Sequence, residues 1–188
     1  MNSLDNLKSS IIGQFGTPCS IIDLDIVETN IHRAQQICDA AGVANRPHIK
    51  THKSPFLAKM QLEAGASGIT CQKLGEAEVM ADAGIYDILI ATNILGAARS
   101  GRLTKLQKKI PLKVCADNSV SLKEYSKAAQ AANRPLDVLI ECDTGQKRAG
   151  VEKTSEALNL IKSIIEDKWL KFIGLLYYPT LDGWEDTQ

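Results

Sequence analysis

Three helical stretches of the chain end in the same dipeptide and pass at once into apolar or β-branched sequence. Ala41-Gly42 precedes Val43, Ala64-Gly65 stands shortly before Ile69, and Ala83-Gly84 precedes Ile85. A glycine just past the last helical turn takes the left-handed backbone that closes it, so each dipeptide marks a helix end leading into a strand. One intervening helix opens with Ser54-Pro55, a capping side chain followed by proline at the first helical position. Sequence punctuated in this way alternates β and α units with short links, the pattern of an α/β fold.

The pattern predicts seven strands, at residues 20–23, 46–50, 69–72, 87–92, 112–116, 137–142 and 172–177. Helices are expected near 27–41, 55–64, 74–83, 97–108, 119–132 and 154–166. DILIAT and VLIEC are nearly continuous apolar runs, as expected of parallel strands covered on both faces. A doubly wound open sheet and a (β/α)8 barrel both match. Neither GxGxxG nor GxxxxGK[ST] follows any strand, which weighs against a nucleotide-binding open sheet. Polar residues gather at the strands' carboxyl ends: Lys50-Thr51-His52, Gln72-Lys73, Thr92-Asn93, Asp117-Asn118, Asp143-Thr144 and Tyr177-Tyr178. That is where a TIM-type barrel builds its active site, and the barrel is the favoured reading. A complete barrel takes about 250 residues. The 188 residues, closing on the loop-like TLDGWEDTQ, are therefore expected to be an incomplete barrel, the front part of a longer protein.

Composition narrows the partners. Lys+Arg and Asp+Glu number 22 each, so no net positive charge favours nucleic acid. No apolar run approaches the ~20 residues of a membrane helix. The start, MNSLDNLKSS, lacks the apolar core of a signal peptide. A cytoplasmic protein without membrane or nucleic-acid partners is expected. Cys19, Cys38, Cys71, Cys115 and Cys142 form no CxxC pair and read as small buried hydrophobes in a reducing compartment.

The segment with the most unusual chemistry is RPHIKTHK, Arg46 to Lys53. On an extended backbone Arg46, His48 and Lys50 share one side, and Pro47 and Ile49 share the other. A cation directed into a barrel is costly without a task or a partner. A lysine desolvated beside other cations has a depressed pKa and attacks carbonyls, the chemistry that holds pyridoxal phosphate. The alternative is a basic surface loop at a strand end. His48 and His52 stand four apart, but Pro47 argues against the helix that would aim both at one metal. Gln72 and Asn93 could equally cap the helices that follow them, and Asp117 with Ser119 reads as helix-start chemistry. The basic stretch from Arg102 to Lys109 reads as a solvated helix face.

The segments TPCSIIDLDIVETNI, RPHIKTHKSP, GITCQKLGEAEVMADAGIYDILIATNILG and ECDTGQKRAGV, between Gly16 and Tyr178, resemble the amino-terminal barrel of fold-type III pyridoxal-phosphate enzymes. Within the alanine racemase-like superfamily the resemblance is to the D-threonine aldolase and D-serine dehydratase group. It implies that Lys50 forms the Schiff base with pyridoxal 5'-phosphate and that Arg148 reaches the phenolic-oxygen side of the cofactor. It also implies that His48 lies under the pyridine ring, that Gln72 and Asn93 line the pocket, and that Tyr178 stands where the aldolases carry a tyrosine. Glu141 occupies the place of a lysine common in alanine racemases, which points to a lyase acting on D-β-hydroxy amino acids. A racemase of the same fold, or a non-catalytic cofactor-binding barrel, is the alternative. The resemblance places the phosphate-binding loops, a carboxyl-terminal β domain and its divalent metal after these 188 residues, so no metal ligand is assigned, and it implies a homodimer of the full-length protein.

Overall fold

The computed structural model describes residues 3–179. Its elements run α1 (Ser3–Phe15), α2 (Leu24–Ala40), α3 (Pro55–Glu63), β1 (Ile69–Cys71), α4 (Leu74–Asp82), β2 (Ile88–Ile90), α5 (Ala97–Lys109), β3 (Leu112–Ala116), α6 (Ser119–Ala132), β4 (Leu136–Cys142), α7 (Thr154–Glu166) and β5 (Leu170–Tyr177). The five strands form one parallel sheet in the order β1-β2-β3-β4-β5, each joined to the next by a helix. This is the sequential, all-parallel connectivity of a (β/α) barrel, present as part of the cylinder.

The Ala-Gly dipeptides close helices as predicted. Gly42, Gly65 and Gly84 have φ of 67°, 115° and 90°. Val43, Ala66 and Ile85 then donate N–H bonds to the carbonyls of Cys38, Gln61 and Met80, five residues back. That bond satisfies a carbonyl the helix leaves open, and the apolar residue after glycine folds back onto the last turn. Ser54 Oγ accepts from Leu57 N at 3.4 Å, and Pro55 follows at the first helical position.

The sheet buries alternate residues beneath its helices. Ile88 and Ile90 of β2, Val114 of β3 and Val138 and Ile140 of β4 are fully buried. With Met80, Leu103, Tyr125 and Ile164 from the covering helices they form one apolar cluster. Each isoleucine withdrawn from water contributes about 1.5–3 kcal/mol. The opposite face carries Leu89, Cys115 and Glu141 and looks into the concave side.

Two predicted strands are absent. Residues 20–23 are irregular, with Ile21 and Ile22 65% and 56% exposed, and find no strand partner among the described residues. Asp23, read as the strand's last residue, instead caps α2: its Oδ1 accepts from Asp25 N and Ile26 N at 3.1 and 3.2 Å. The helix consequently starts at Leu24, three residues earlier than predicted. Residues 46–50 make a single bridge, His48 to Thr70. Ile49 N donates to Thr70 O and Thr70 N to Pro47 O, after which the chain turns and Lys53 N bonds back to Ile49 O at 2.8 Å. Proline offers no N–H to a ladder, and the turn ends it within one residue of the bridge. The count of seven strands thus becomes five plus this bridge. Helix α1 was not predicted, and TLDGWEDTQ lies outside the described residues. Cys71 and Cys115 are buried as expected, whereas Cys19 is exposed.

Candidate active site

The carboxyl ends of the strands surround a cavity of about 350 Å³. Lys50, His48, Gln72, Asn93, Arg148 and Tyr178, the six residues singled out from the sequence, all line it. They arrive from five separate segments.

Lys50 is presented by the turn after the His48 bridge. Ile49, fully buried, anchors that turn to β1, and the 2.8 Å Lys53–Ile49 bond closes it. Lys53 has φ of 49°, a left-handed conformation a non-glycine residue adopts at some cost. Lys50 N donates to His48 Nδ1 at 3.2 Å. The proton of neutral His48 therefore sits on Nε2, which stands 3.2 Å from Gln72 Oε1 and donates to it. Burial, reinforced by the Lys50 charge, holds the His48 pKa below its ordinary value, against the opposing pull of Gln72 and Glu76. Gln72 is fixed in turn by its backbone: its N–H donates to Glu76 Oε2 at 2.8 Å and its carbonyl accepts from Thr92 Oγ1 at 2.7 Å. The side chain of Gln72 is thus a partner of His48 and not a helix cap.

Arg46 does not join this cation cluster. It pairs with Asp87 Oδ1 at 2.6 Å, and Lys113 Nζ reaches both Asp87 oxygens at 2.8 Å. Hydrogen bonds and charge from these two cations hold the Asp87 carboxyl below its usual range, overcoming the effect of burial. The predicted basic face of α5 is exposed at Arg102, Lys105, Lys108 and Lys109, with Leu103, Leu106 and Gln107 buried behind it.

Arg148 stands on the loop after β4, with its guanidinium carbon 5.2 Å from the Tyr178 ring centroid. Lys50 Nζ lies 5.7 Å from the same centroid. One aromatic ring is thus shared by two cations, which its negative faces attract. Neither cation forms an ion pair among the described residues. The DTGQKRAGV loop is closed by its own ends: Val151 N donates to Glu141 O, and Asp143 N to Val151 O, both at 2.9 Å.

Glu141 and Thr144, named from the sequence but not among the six site residues, also line the cavity. Glu141, half-buried on the cavity floor, has its pKa raised by burial and by the Asp117 charge; the Cys115 thiol, 3.6 Å from its Oε2, and Arg148 pull the other way. Thr144 Oγ1 is buried in the cavity wall and has no hydrogen-bond partner among the described residues. Its direction depends on how the loop closes, and no spacing in the sequence encodes that. Among the described residues no three His, Cys, Asp or Glu side chains converge on a metal-sized space, and no helix is long and apolar enough to cross a membrane.

The fold and the cavity together define a (β/α)-barrel domain, present in part, with a cationic site at the carboxyl ends of its strands. The chain belongs to the alanine racemase, N-terminal domain family, which it matches over residues 22–184. It is 38% identical over 167 residues to D-threonine aldolase from Arthrobacter sp, covering 89% of this chain and 44% of that protein. It is 37% identical to D-threo-3-hydroxyaspartate dehydratase from Delftia sp. (strain HT23), covering 85% of this chain and 42% of that one. The crystal structure of D-threonine aldolase from Filomicrobium marinum superposes with a TM-score of 0.82 at 38% identity, over 85% of this chain and 43% of that chain. The chain therefore spans less than half the length of these relatives.

Proposed function

We propose that this chain forms the cofactor-binding part of a pyridoxal 5'-phosphate-dependent lyase acting on D-β-hydroxy amino acids, of the D-threonine aldolase or D-serine dehydratase type. The observation that carries the reading is the convergence of Lys50, His48, Gln72, Asn93, Arg148 and Tyr178 on one cavity. The donor set suits a planar, anionic aromatic cofactor. Among the described residues Lys50 and Arg148 have no paired carboxylate and the buried Thr144 hydroxyl has no partner, while Tyr178 offers a ring face. The names of the relatives, an aldolase and a dehydratase, support a lyase over a racemase.

When bound, the cofactor's conjugated ring withdraws electrons from the substrate's α carbon and so weakens the bonds around it. Lys50 Nζ would be the point of covalent attachment, and its turn, fixed through Ile49, holds it at the cavity. His48 keeps its proton on Nε2 toward Gln72 and presents an uncharged ring beside Lys50, so the pair does not carry two adjacent positive charges. Arg148 supplies permanent positive charge to the same cavity, where a phenolic oxygen would be stabilised as its anion. Glu141, whose pKa is raised, holds a proton more readily than an ordinary carboxylate.

The test is addition of pyridoxal phosphate to the purified chain, borohydride reduction and peptide mapping. The reading expects a fixed adduct on the Lys50 peptide and its loss in Lys50→Ala. An adduct undiminished by Lys50→Ala sinks the assignment. Assay of both enantiomers of threonine and serine with the loaded protein then separates a D-specific lyase from a racemase, which would act on either.

A further inference from the structure

We propose that Asp117 is a positioning residue that clamps the Asn93 side chain and the Arg148 loop into one arrangement at the cavity rim, an inference that rests on the proposed site for its functional meaning. Asp117 follows β3 directly and its two oxygens take three donors. Oδ1 accepts from Asn93 Nδ2 at 2.8 Å and from Asn118 Nδ2 at 2.7 Å, and Oδ2 accepts from Gly150 N at 3.0 Å. From the sequence Asp117 reads as helix-start chemistry. That task belongs to Asn118, whose Oδ1 accepts from Ser121 N at 2.9 Å with an extended backbone. Asn118 is the residue that caps α6, and Asp117, which holds the Asn118 amide from behind, keeps its other contacts for the neighbouring strand ends.

Each end of the tie reaches a cavity residue. Asn93 is held from both sides: its nitrogen faces Asp117, and its Oδ1 accepts from the fully buried Ser121 Oγ at 2.7 Å. An inverted amide would set oxygen against carboxylate, so the orientation is fixed and one N–H is left for the cavity. Gly150 lies two residues from Arg148. Within the loop, the Asp143 carboxylate accepts from Gly145 N and Lys147 N, and the bonds of Val151 with Glu141 and Asp143 close its base. Among the described residues the Gly150–Asp117 bond is the hydrogen bond that ties the loop sideways to β3. All three partners of Asp117 are donors, and only a carboxylate accepts from all three. An amide there sets N–H against N–H, which makes Asp117→Asn a near-isosteric way to open the clamp.

The experiment compares Asp117→Asn with Asn118→Ala in this chain by native-state amide hydrogen exchange and pyridoxal phosphate titration. Asp117→Asn is expected to speed exchange in both 91–94 and 143–151 by about tenfold or more, Gly150 above all, with the melting temperature nearly kept. Cofactor affinity should fall by about tenfold and the absorbance maximum of bound cofactor should move, because Arg148 is no longer held. Asn118→Ala should loosen only the start of α6. Should Asp117→Asn not fold, Asn93→Asp takes its place: a second carboxylate repels Asp117 and should loosen 143–151, to which the Asn93 side chain makes no hydrogen bond among the described residues. Unchanged exchange in 143–151 in a folded variant, equal loosening by Asn118→Ala, or loosened loops with undiminished cofactor affinity would each overturn the positioning role. Coupled loosening in a chain whose wild type binds no cofactor supports the clamp and overturns the proposed function instead.

Discussion

His48 Nε2 stands 3.2 Å from Gln72 Oε1 while His48 Nδ1 accepts the N–H of Lys50, so one imidazole spans the strand end and the turn that carries the lysine. Both ring nitrogens have assigned roles only when the ring is neutral. Protonation would place N–H against N–H at Lys50 and add a charge next to its ammonium.

The pH dependence follows from that arrangement. Burial first, then the Lys50 charge, lowers the His48 pKa from the ordinary 6.5, and burial does the same for His52. A folded-state value below the unfolded one means the unfolded chain binds protons more readily. The stabilising contribution is therefore fully present above 6.5 and is lost as pH falls from 6.5 through the folded-state values. NMR titration of the imidazole resonances should find both midpoints below 6.5. A His48 midpoint at or above that value contradicts the reading.

Gly150 admits no side chain. At its φ of 99° a Cβ would sit 2.5 Å from Asp143 N and 2.6 Å from the Cys142 carbonyl carbon, both backbone atoms that cannot swing away. Gly150→Ala should cost about 3 kcal/mol, from clash and strained backbone together. Gly13→Ala, in α1 with nothing within 4 Å of the new Cβ, should be neutral or slightly stabilising. Urea denaturation distinguishes the two, and equal midpoints would remove the steric argument.

The Tyr125 hydroxyl pins the strand ends from beneath. It donates to Cys115 O at 2.9 Å and accepts from Ile94 N at 3.0 Å, and the residue is fully buried. Tyr125→Phe keeps the apolar packing but leaves the Ile94 N–H buried without an acceptor. A loss of about 1–3 kcal/mol with an unchanged denaturant slope is expected. A variant as stable as wild type would show that this hydroxyl holds nothing.

The cysteines should react in order of access. Burial pushes the Cys71 thiol up to about 12 and Cys115 still higher, while Cys19 is exposed. Brief alkylation of the native protein near pH 8 should label Cys19 and spare Cys71 and Cys115, with all five labelled after denaturation. Early labelling of Cys115 would place it nearer solvent than the structure does.

Much of the scaffold was legible in the chain because its signals are local. Gly42, Gly65 and Gly84 close helices through backbone conformations set by the residue itself, and β3 spans the predicted residues 112–116 without alteration. The convergence of the six site residues on one cavity follows from the same rhythm, since parallel strands carry their carboxyl ends to one side. The missing strands failed for reasons beyond any window: Ile21 and Ile22 have β-forming side chains, but a strand also needs a neighbour to bond. Asp117 and Asn118 are chemically alike as helix starters, and which of them caps is settled by Asn93, 24 residues away, and Gly150, 33 residues away. Sequence by itself determined the α/β alternation, the helix ends and the residue types offered at the strand ends, because these depend on neighbours along the chain. Tertiary structure alone decided which polar groups meet, His48 with Gln72 and Asp117 with Asn93 and Gly150, because hydrogen bonds act over about 3 Å and only packing brings distant residues that close.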